Sequence, residues 1–331
     1  MTHLVGMQAQ NPHDPYYGLW ARIDGFDPSE LSGMIERREA VRGALMRGTL
    51  HLAMTDDYLF LRSLLQPTLA AVLGSTSFAR DTVDVDRDAL LAYGRALLDK
   101  EEMTRAQLGP LLGERWPGVP AASLAQVVTY LVPMVQVPPR GLWGRSGPSA
   151  WATVESWTGR SVPDGADPRR LVRRYLEAFG PASVSDIRVW SRLNGLREVI
   201  DQMRSELEVR TGEDGSELLD IPDGVIVDAD VPAPPRFLPE YDNVLLGHAD
   251  RSRFFVEGIT PIGWVGNLLV DGLFSGWWKI GRKGEEAHLE VHLLRKVPRA
   301  EMKAVEKEAV RLLELAHSDP GTRSFVLHAE H

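Results

Sequence analysis

Thr104-Arg105-Ala106-Gln107 reads as a helix start, and Ser183-Val184-Ser185-Asp186 repeats the pattern downstream. In such a start a hydroxyl side chain caps the backbone N–H three residues on, and the polar residue there reaches back to the cap. The surroundings of the two copies match. Before the first, a unit begins near Asp86, and Ala89, Leu90, Tyr93, Leu97 and Leu98 have helical spacing. After it come Leu108, Leu111 and Leu112, a loop over Trp116-Pro117-Gly118-Val119-Pro120, and a third helix from Leu124 to Leu131. Before the second copy, Asp167-Pro168 opens a helix with Leu171, Tyr175, Leu176 and Phe179 inward and Arg169, Arg170, Arg173 and Arg174 largely outward. Ile187, Val189 and Trp190 follow that copy. After the Asn194-Gly195 turn, Leu196 to Met203 takes the place of a recognition helix. Each run ends in strand material. In the first, Val135-Gln136-Val137 leads through a Pro/Gly turn into a returning strand that reaches Arg145. In the second, Leu207 to Arg210 and Leu218 to Val227 flank the Gly212 to Gly215 turn. This internal repeat predicts tandem winged helices.

Outside the repeat, Leu4, Val5 and Met7 suit a short helix. Asp14-Pro15 and Asp27-Pro28 each read as an N-cap followed by proline at the first helical position. The first of these helices is expected to run to about Ile23, with Tyr16, Leu19, Trp20 and Ile23 on one face. The second passes through Leu31, Met34 and Ile35. Leu50, Leu52 and Met54 fit one face of a strand, and Thr55-Asp56-Asp57 caps a helix ending near Gln66-Pro67. At the other end, Val231 to Pro239 holds four prolines and reads as a stiff crossover. Beyond Tyr241, the segments Phe254 to Val256, Trp264-Val265, Leu268 to Val270, Trp277 to Ile280 and Leu289 to His292 read as short strands. Trp264, Trp277 and Trp278 are expected in the core of that β-rich part, and Arg299 to Leu315 is a closing helix. The expected architecture is α+β. Winged helices span 1–82, 83–160 and 161–232, and a β-rich domain spans 233–331.

Composition sets bounds. The 331 residues are 44% hydrophobic and 25% charged, enough for two or three domains with a sizeable core. With no cysteine there is neither a disulfide nor a thiolate metal site, which suits a cytosolic protein. No apolar run is long enough to cross a membrane, and no signal-peptide pattern opens the chain. The net charge of −9 argues against non-specific nucleic-acid binding over the whole surface. It leaves room for a basic cleft, because charge is uneven. Arginines gather at 140, 145, 169, 170, 173 and 174, whereas Glu213, Asp214, Asp223, Asp228 and Asp230 cluster elsewhere.

Two amide side chains, Gln8 and Gln10, flank Ala9 in Met7-Gln8-Ala9-Gln10-Asn11-Pro12. In an extended segment both would point to one side. In a helical turn they would diverge by about 200°. Pro12 sets a boundary in either case. Downstream lie Gly18 to Ile23, Asp27 to Leu31 and Leu45-Met46-Arg47-Gly48-Thr49-Leu50-His51-Leu52, with Leu238 to Asn243 and Val270-Asp271-Gly272 further on. Together these resemble, over nearly the whole chain, the winged-helix family of bacterial DNA glycosylases that includes azinomycin-resistance and interstrand-crosslink glycosylases. The chain is similar to the family's Gln-x-Gln branch. Members carry a further helix before the glutamines, so the first winged helix reads as N-terminally short.

The resemblance implies hydrolysis of the N-glycosidic bond of bulky or crosslinked N7-alkylated purines in double-stranded DNA, as in antibiotic self-resistance. No cofactor or metal is implied, and the expected form is a monomer at the nucleoid. Gln10 would position the attacking water, and Gln8 would support the water, the sugar or the adjacent phosphate. A concave surface would embrace the duplex without base flipping. Arg140 and Arg145 would meet phosphates or minor-groove edges, with Trp143 either in that contact or packed beneath an ordinary wing. Arg47 is a further candidate for a phosphate. His51 is a candidate DNA contact or a satisfied core histidine. No Walker loop, dinucleotide fingerprint or zinc pattern is present. His288 and His292 are spaced for a helical metal site, but their alternation says strand, and Glu285-Glu286 reads as a solvated turn. A non-catalytic winged-helix regulator is the competing reading, and a drug-sequestering protein is a third. Glutamines lining a basic cleft would favour the enzyme.

Overall fold

The glutamine segment pairs as a strand. A computed structural model describes residues 1–228, 230–256, 258–259, 263–283, 286–317 and 323–329. In it a short 3-10 turn over Thr2–Leu4 ends at Val5, whose φ of 62° stops helical propagation, and β1 (Met7–Gln8) follows. The helix expected up to the glutamines is therefore absent. The chain forms two compact units. One comprises Met1–Tyr16 and Asp27–Gly224, the other Tyr17–Phe26 and Val225–His331.

In the first unit, α1 (Asp14–Trp20) begins within it, and α2 (Pro28–Glu36) is capped by Asp27. α1 stops at Trp20, short of the expected Ile23, which is exposed. Next come β2 (Ala40–Ala44), β3 (Leu50–Met54) and α3 (Thr55–Gly74). α3 continues through Pro67 instead of ending there. Proline costs one helical hydrogen bond, and buried Leu61, Leu65, Leu69 and Leu73 on both sides of it outweigh that loss. Then follow α4 (Ser77–Asp81), α5 (Arg87–Leu98), β4 (Met103–Thr104), α6 (Arg105–Arg115) and α7 (Ala121–Leu131). The Thr104 capping box is formed, with Gln107 N–H donating to Thr104 Oγ1 at 3.2 Å and Thr104 N–H to Gln107 Oε1 at 2.8 Å.

The strand β5 (Met134–Gln136) returns through β6 (Ala150–Thr153), not through Leu142 to Arg145. The prolines at 138 and 139 bring no ladder donors, and the residues after them bond elsewhere. After α8 (Val154–Thr158) come α9 (Pro168–Phe179), α10 (Val184–Ser191) with its Ser183–Asp186 capping box, and α11 (Leu196–Met203). The hairpin β7 (Glu208–Thr211) and β8 (Glu217–Asp220) ends at Asp220, and Val225 to Val227, expected in that strand, are exposed. Six strands form one antiparallel sheet in the order β1-β3-β2-β5-β6-β4, while β7 and β8 stand alone. Its β2–β5 pairing joins the wing strands of the first two helical runs. One core gathers Leu61, Leu65, Tyr175 and Trp190, and another Leu90, Leu112, Leu124 and Trp151. The architecture is α+β, tandem winged helices with a β-rich C-terminal part.

The second unit is a sheet backed by a helix. Its elements are β9 (Arg236–Leu238), α12 (Asn243–Leu246), β10 (Gly266–Val270), β11 (Leu273–Lys283), β12 (Glu286–Leu293), α13 (Arg299–Ala316) and β13 (Arg323–Ala329). The order is β13-β12-β11-β10-β9. Only β12 and β13 are parallel, and α13 lies between them in sequence, as a parallel pair requires a crossover. Phe237, Phe274, Trp278, Leu289 and Leu312 fill its core. Phe254 to Val256 is a turn with no strand pairing, and Trp264, expected in the core, is 84% exposed. His288 and His292 do lie on a strand. His292 stacks between Trp277 and His328, with ring centroids 3.8 Å and 4.2 Å away. Glu286 opens β12 instead of sitting in a turn, and Glu285 lies outside the described residues. Among the described residues no group of His, Asp or Glu is placed to hold a metal, and no helix is long and apolar enough to cross a membrane.

Candidate active site at the glutamine strand

The strand β1 is only two residues long, and its register decides what each glutamine meets. Gln8 pairs with His51 of β3, and Met7 with Leu52. Ala9 N–H still reaches the Leu50 carbonyl at 2.7 Å, after which the chain bends at Gln10. The alternation thus stops before the second glutamine. Gln8 is 6% exposed, whereas Gln10 is open to solvent.

The turn between β2 and β3 builds the partner of Gln8. Arg47 takes φ 57° and Gly48 φ 73°, two successive left-handed residues. A Cβ on Gly48 would lie 2.0 Å from the Tyr130 hydroxyl, which itself donates to the Gly48 carbonyl at 2.8 Å. This turn carries Arg47 back over the sheet. Its Nη1 donates to the Trp190 carbonyl at 2.8 Å, and its Nη2 to Gln8 Oε1 at 2.7 Å. A guanidinium only donates, so the Gln8 carbonyl must face Arg47. The Gln8 amide nitrogen then points away, and it has no hydrogen-bond partner among the described residues.

His51 sits fully buried beneath this pair. Its Nδ1 is 3.0 Å from the Thr49 carbonyl, so Nδ1 carries the proton. Its Nε2 is 3.5 Å from Arg47 Nη2 and is the lone-pair nitrogen. Burial, with the Arg47 charge beside it, pushes His51 down to about 3, so the ring is neutral at physiological pH. His51 is a fully buried histidine satisfied by the Thr49 carbonyl and packed against Arg47.

Gln10 lies at the edge of a different environment. Leu50 N–H approaches its Oε1 at 3.4 Å, a long contact. Beneath it, Arg42 donates to the backbone carbonyls of Ala9 at 2.8 Å and Gln10 at 3.2 Å, tying down the end of the motif. Arg140 lines the same cavity as Gln10. The structure therefore brings Gln8, Arg47 and His51 together, and separately Gln10 and Arg140.

Trp143 is placed apart from both groups. Its ring packs 5.0 Å from Tyr16 and 5.5 Å from His13, and the Trp143 backbone N–H donates to Ser32 Oγ at 3.0 Å. The Tyr16 hydroxyl donates to the Gly141 carbonyl at 2.7 Å, and His13 Nε2 to that of Leu142 at 3.2 Å. Burial lowers the His13 pKa, so the ring favours its neutral form. These contacts pin the segment over Pro138 to Arg145 as a docked loop with Trp143 packed beneath and Arg145 exposed. Arg42 is the residue that sequence reasoning missed. Its signal was a lone charge inside the apolar strand Ala40-Val41-Arg42-Gly43-Ala44, a position that requires a built-in partner.

The sequence model of the family described as DNA glycosylase AlkZ-like matches residues 1–315. The solved structure of Streptomyces sahachiroi DNA glycosylase AlkZ matches this fold with a TM-score of 0.73 at 22% identity. The match covers 98% of this chain and 91% of that one. At that identity the likeness is one of fold. Among curated protein sequences no significant match is found.

Proposed function

We propose, from the premise that this chain belongs to the AlkZ-like DNA glycosylase family, that its substrate is an N7-alkylated purine in duplex DNA, bulky or crosslinked. It is an N-glycosyl hydrolase. An N7-alkylated purine is cationic and departs as a neutral molecule, so its loss needs no strong general acid. What remains is to support the oxocarbenium character of the sugar and to position water. The cavity beside Gln10 is lined by no carboxylate. A glutamine carbonyl can orient water but cannot take its proton effectively. That pairing of weak base and cationic leaving group is self-consistent, and it predicts slow release of unmodified bases.

The observation that carries this reading is the Arg47–Gln8 hydrogen bond. It turns the two N–H donors of the Gln8 amide away from Arg47, which frees them for a sugar oxygen or phosphate in this reading, while Gln10 remains open for the water. Gln10 is the water-positioning residue and Gln8 the substrate-positioning donor. Arg145 and Arg140 are the phosphate contacts of this reading. The three winged helices remain assigned to 1–82, 83–160 and 161–232, and the protein works on the nucleoid as a monomer. A role in antibiotic self-resistance follows if the adduct is a bulky natural alkylator.

The test is single-turnover release from duplex DNA carrying N7-methylguanine or a bulkier N7 adduct, with Gln10→Ala beside the wild type. Loss of about 10²-fold in Gln10→Ala with duplex binding intact is the expected result. Retained release in that variant would remove Gln10 from the mechanism. Duplex binding without release by the wild type on any N7 adduct would overturn this choice of substrate.

A further inference from the structure

The cavity beside Gln10 has about 310 Å³ of space and is walled by three arginines. Residues directly paired across an antiparallel sheet share a face. The β2–β5–β6 register therefore sets Arg42, Gln136 and Trp151 in one row of its wall. Arg105 lies over Trp151, its guanidinium carbon 5.0 Å from the ring centroid, and its Nε donates to Thr129 Oγ1 at 2.8 Å. Arg140 completes the ring of cations. None of the three is ion-paired among the described residues.

Arg42 is the most telling. It is 5% exposed, its Nε and Nη2 are used on the Ala9 and Gln10 carbonyls, and its Nη1 has no partner. Burial and the Arg140 charge lower it to about 9, partly offset by the Asp14 carboxylate, which leaves it protonated at neutral pH. Gln136, beside it, donates its Nε2 to Ser149 Oγ, while its buried Oε1, an acceptor, has no partner. A buried guanidinium with one N–H group left unpartnered is costly. Buried Arg42, with half-buried Arg105 and Arg140 facing the same cavity, is matched by an anion with several acceptor oxygens, the geometry a guanidinium fork recognises.

We propose that this cavity receives one backbone phosphodiester of the DNA, held by Arg42, Arg105 and Arg140 beside Gln10, and that it does not receive the alkylated base. The inference rests on the glycosylase reading above. The same three charges that attract a phosphate repel a cationic N7-alkylpurine. Arg42 also links the two events, because the guanidinium that meets the phosphate holds the backbone of Gln10. Phosphate capture thus sets the water-positioning residue while the damaged base stays outside, as bulky or crosslinked adducts require.

The experiment replaces single phosphodiesters around an N7-methylguanine with methylphosphonates, one linkage at a time. Base release and duplex affinity are measured for wild type, Arg105→Gln and Arg140→Gln. One linkage is expected to weaken wild-type affinity and rate about tenfold when neutralised, with little further loss in either variant at that linkage. The slope of log affinity against log salt should fall by about one in each variant. Independent, additive losses at every linkage would overturn the proposal. So would variants that respond to adduct size instead of phosphate charge, which would put the base in the cavity. Competition by inorganic phosphate without coupling to any linkage would assign the site to free phosphate and overturn it as well. Affinity reports the coupling even if no base is released, so failure of the glycosylase reading on this substrate is seen separately. Arg105 and Arg140 are tested because Arg42 also holds the backbone and its removal could unfold the strand.

Discussion

Arg47 donates to the side-chain carbonyl of Gln8 at 2.7 Å, and this bond turns the amide N–H groups of Gln8 away from Arg47. The orientation of one planar group thereby becomes a property of the turn between β2 and β3. Gly48 and the left-handed Arg47 form that turn.

Gln8→Glu separates orientation from donation. A carboxylate would still accept from Arg47, whose charge offsets the cost of burying it, so the variant should remain folded. It has no N–H to offer a sugar or phosphate, and base release should fall by about 10²-fold. Single-turnover release and a thermal melt on the same sample check both halves. Undiminished release would remove the donor role from Gln8.

Gln10→Asp places a carboxylate where only an amide orients water. Release of N7-methylguanine at neutral pH should rise by about tenfold. The pH–rate profile should gain an acid limb below about pH 5, because the new base must be ionised to act. A flat profile with an unchanged rate would show that Gln10 does not touch the attacking water.

His51 ties stability to pH. Its folded value of about 3 lies below its ordinary 6.5, so the unfolded chain binds the proton more tightly. The stabilisation is complete above about pH 6.5 and is lost as pH falls toward 3. Between pH 7 and 4.5 this residue should cost the wild type about 2–3 kcal/mol, at 1.36 kcal/mol per pH unit. His51→Asn can keep a donor toward the Thr49 carbonyl. It should be less stable at pH 7 yet decline less steeply. Denaturant titrations at pH 7, 5.5 and 4.5 read the difference, and parallel declines would acquit His51.

Gly48→Ala should destabilise by about 2 kcal/mol or more. The left-handed backbone strains any Cβ, and that Cβ would meet the Tyr130 hydroxyl at 2.0 Å. Because the turn also carries Arg47, release should fall at temperatures where the variant remains folded. Tyr130→Phe added to Gly48→Ala should restore part of the stability, since it removes the atom in the way.

The amino-acid sequence determined the helical runs and their starts. The caps at Thr104, Asp167 and Ser183 are local hydrogen bonds between near neighbours, so periodicity and side-chain chemistry suffice to see them. It also singled out Gln8, Gln10 and Arg47, through the glutamine pair and the Met-Arg-Gly-Thr-Leu-His text. Strand ends were less legible. The return through β6 instead of Leu142 to Arg145 depends on Tyr16 and Ser32, more than a hundred residues away in the chain, capturing the loop. Trp264 looked like core for its size alone, and neighbours decide burial.

What only the tertiary structure decided is which groups face each other across the sheet. Gln8 meets Arg47 because β1 pairs with β3 in one register, and Arg42 meets Gln136 because β2 pairs with β5. No local pattern encodes those pairings. They follow from burying both faces of the sheet at once, and a slip of one residue would have turned every one of these side chains to the opposite face.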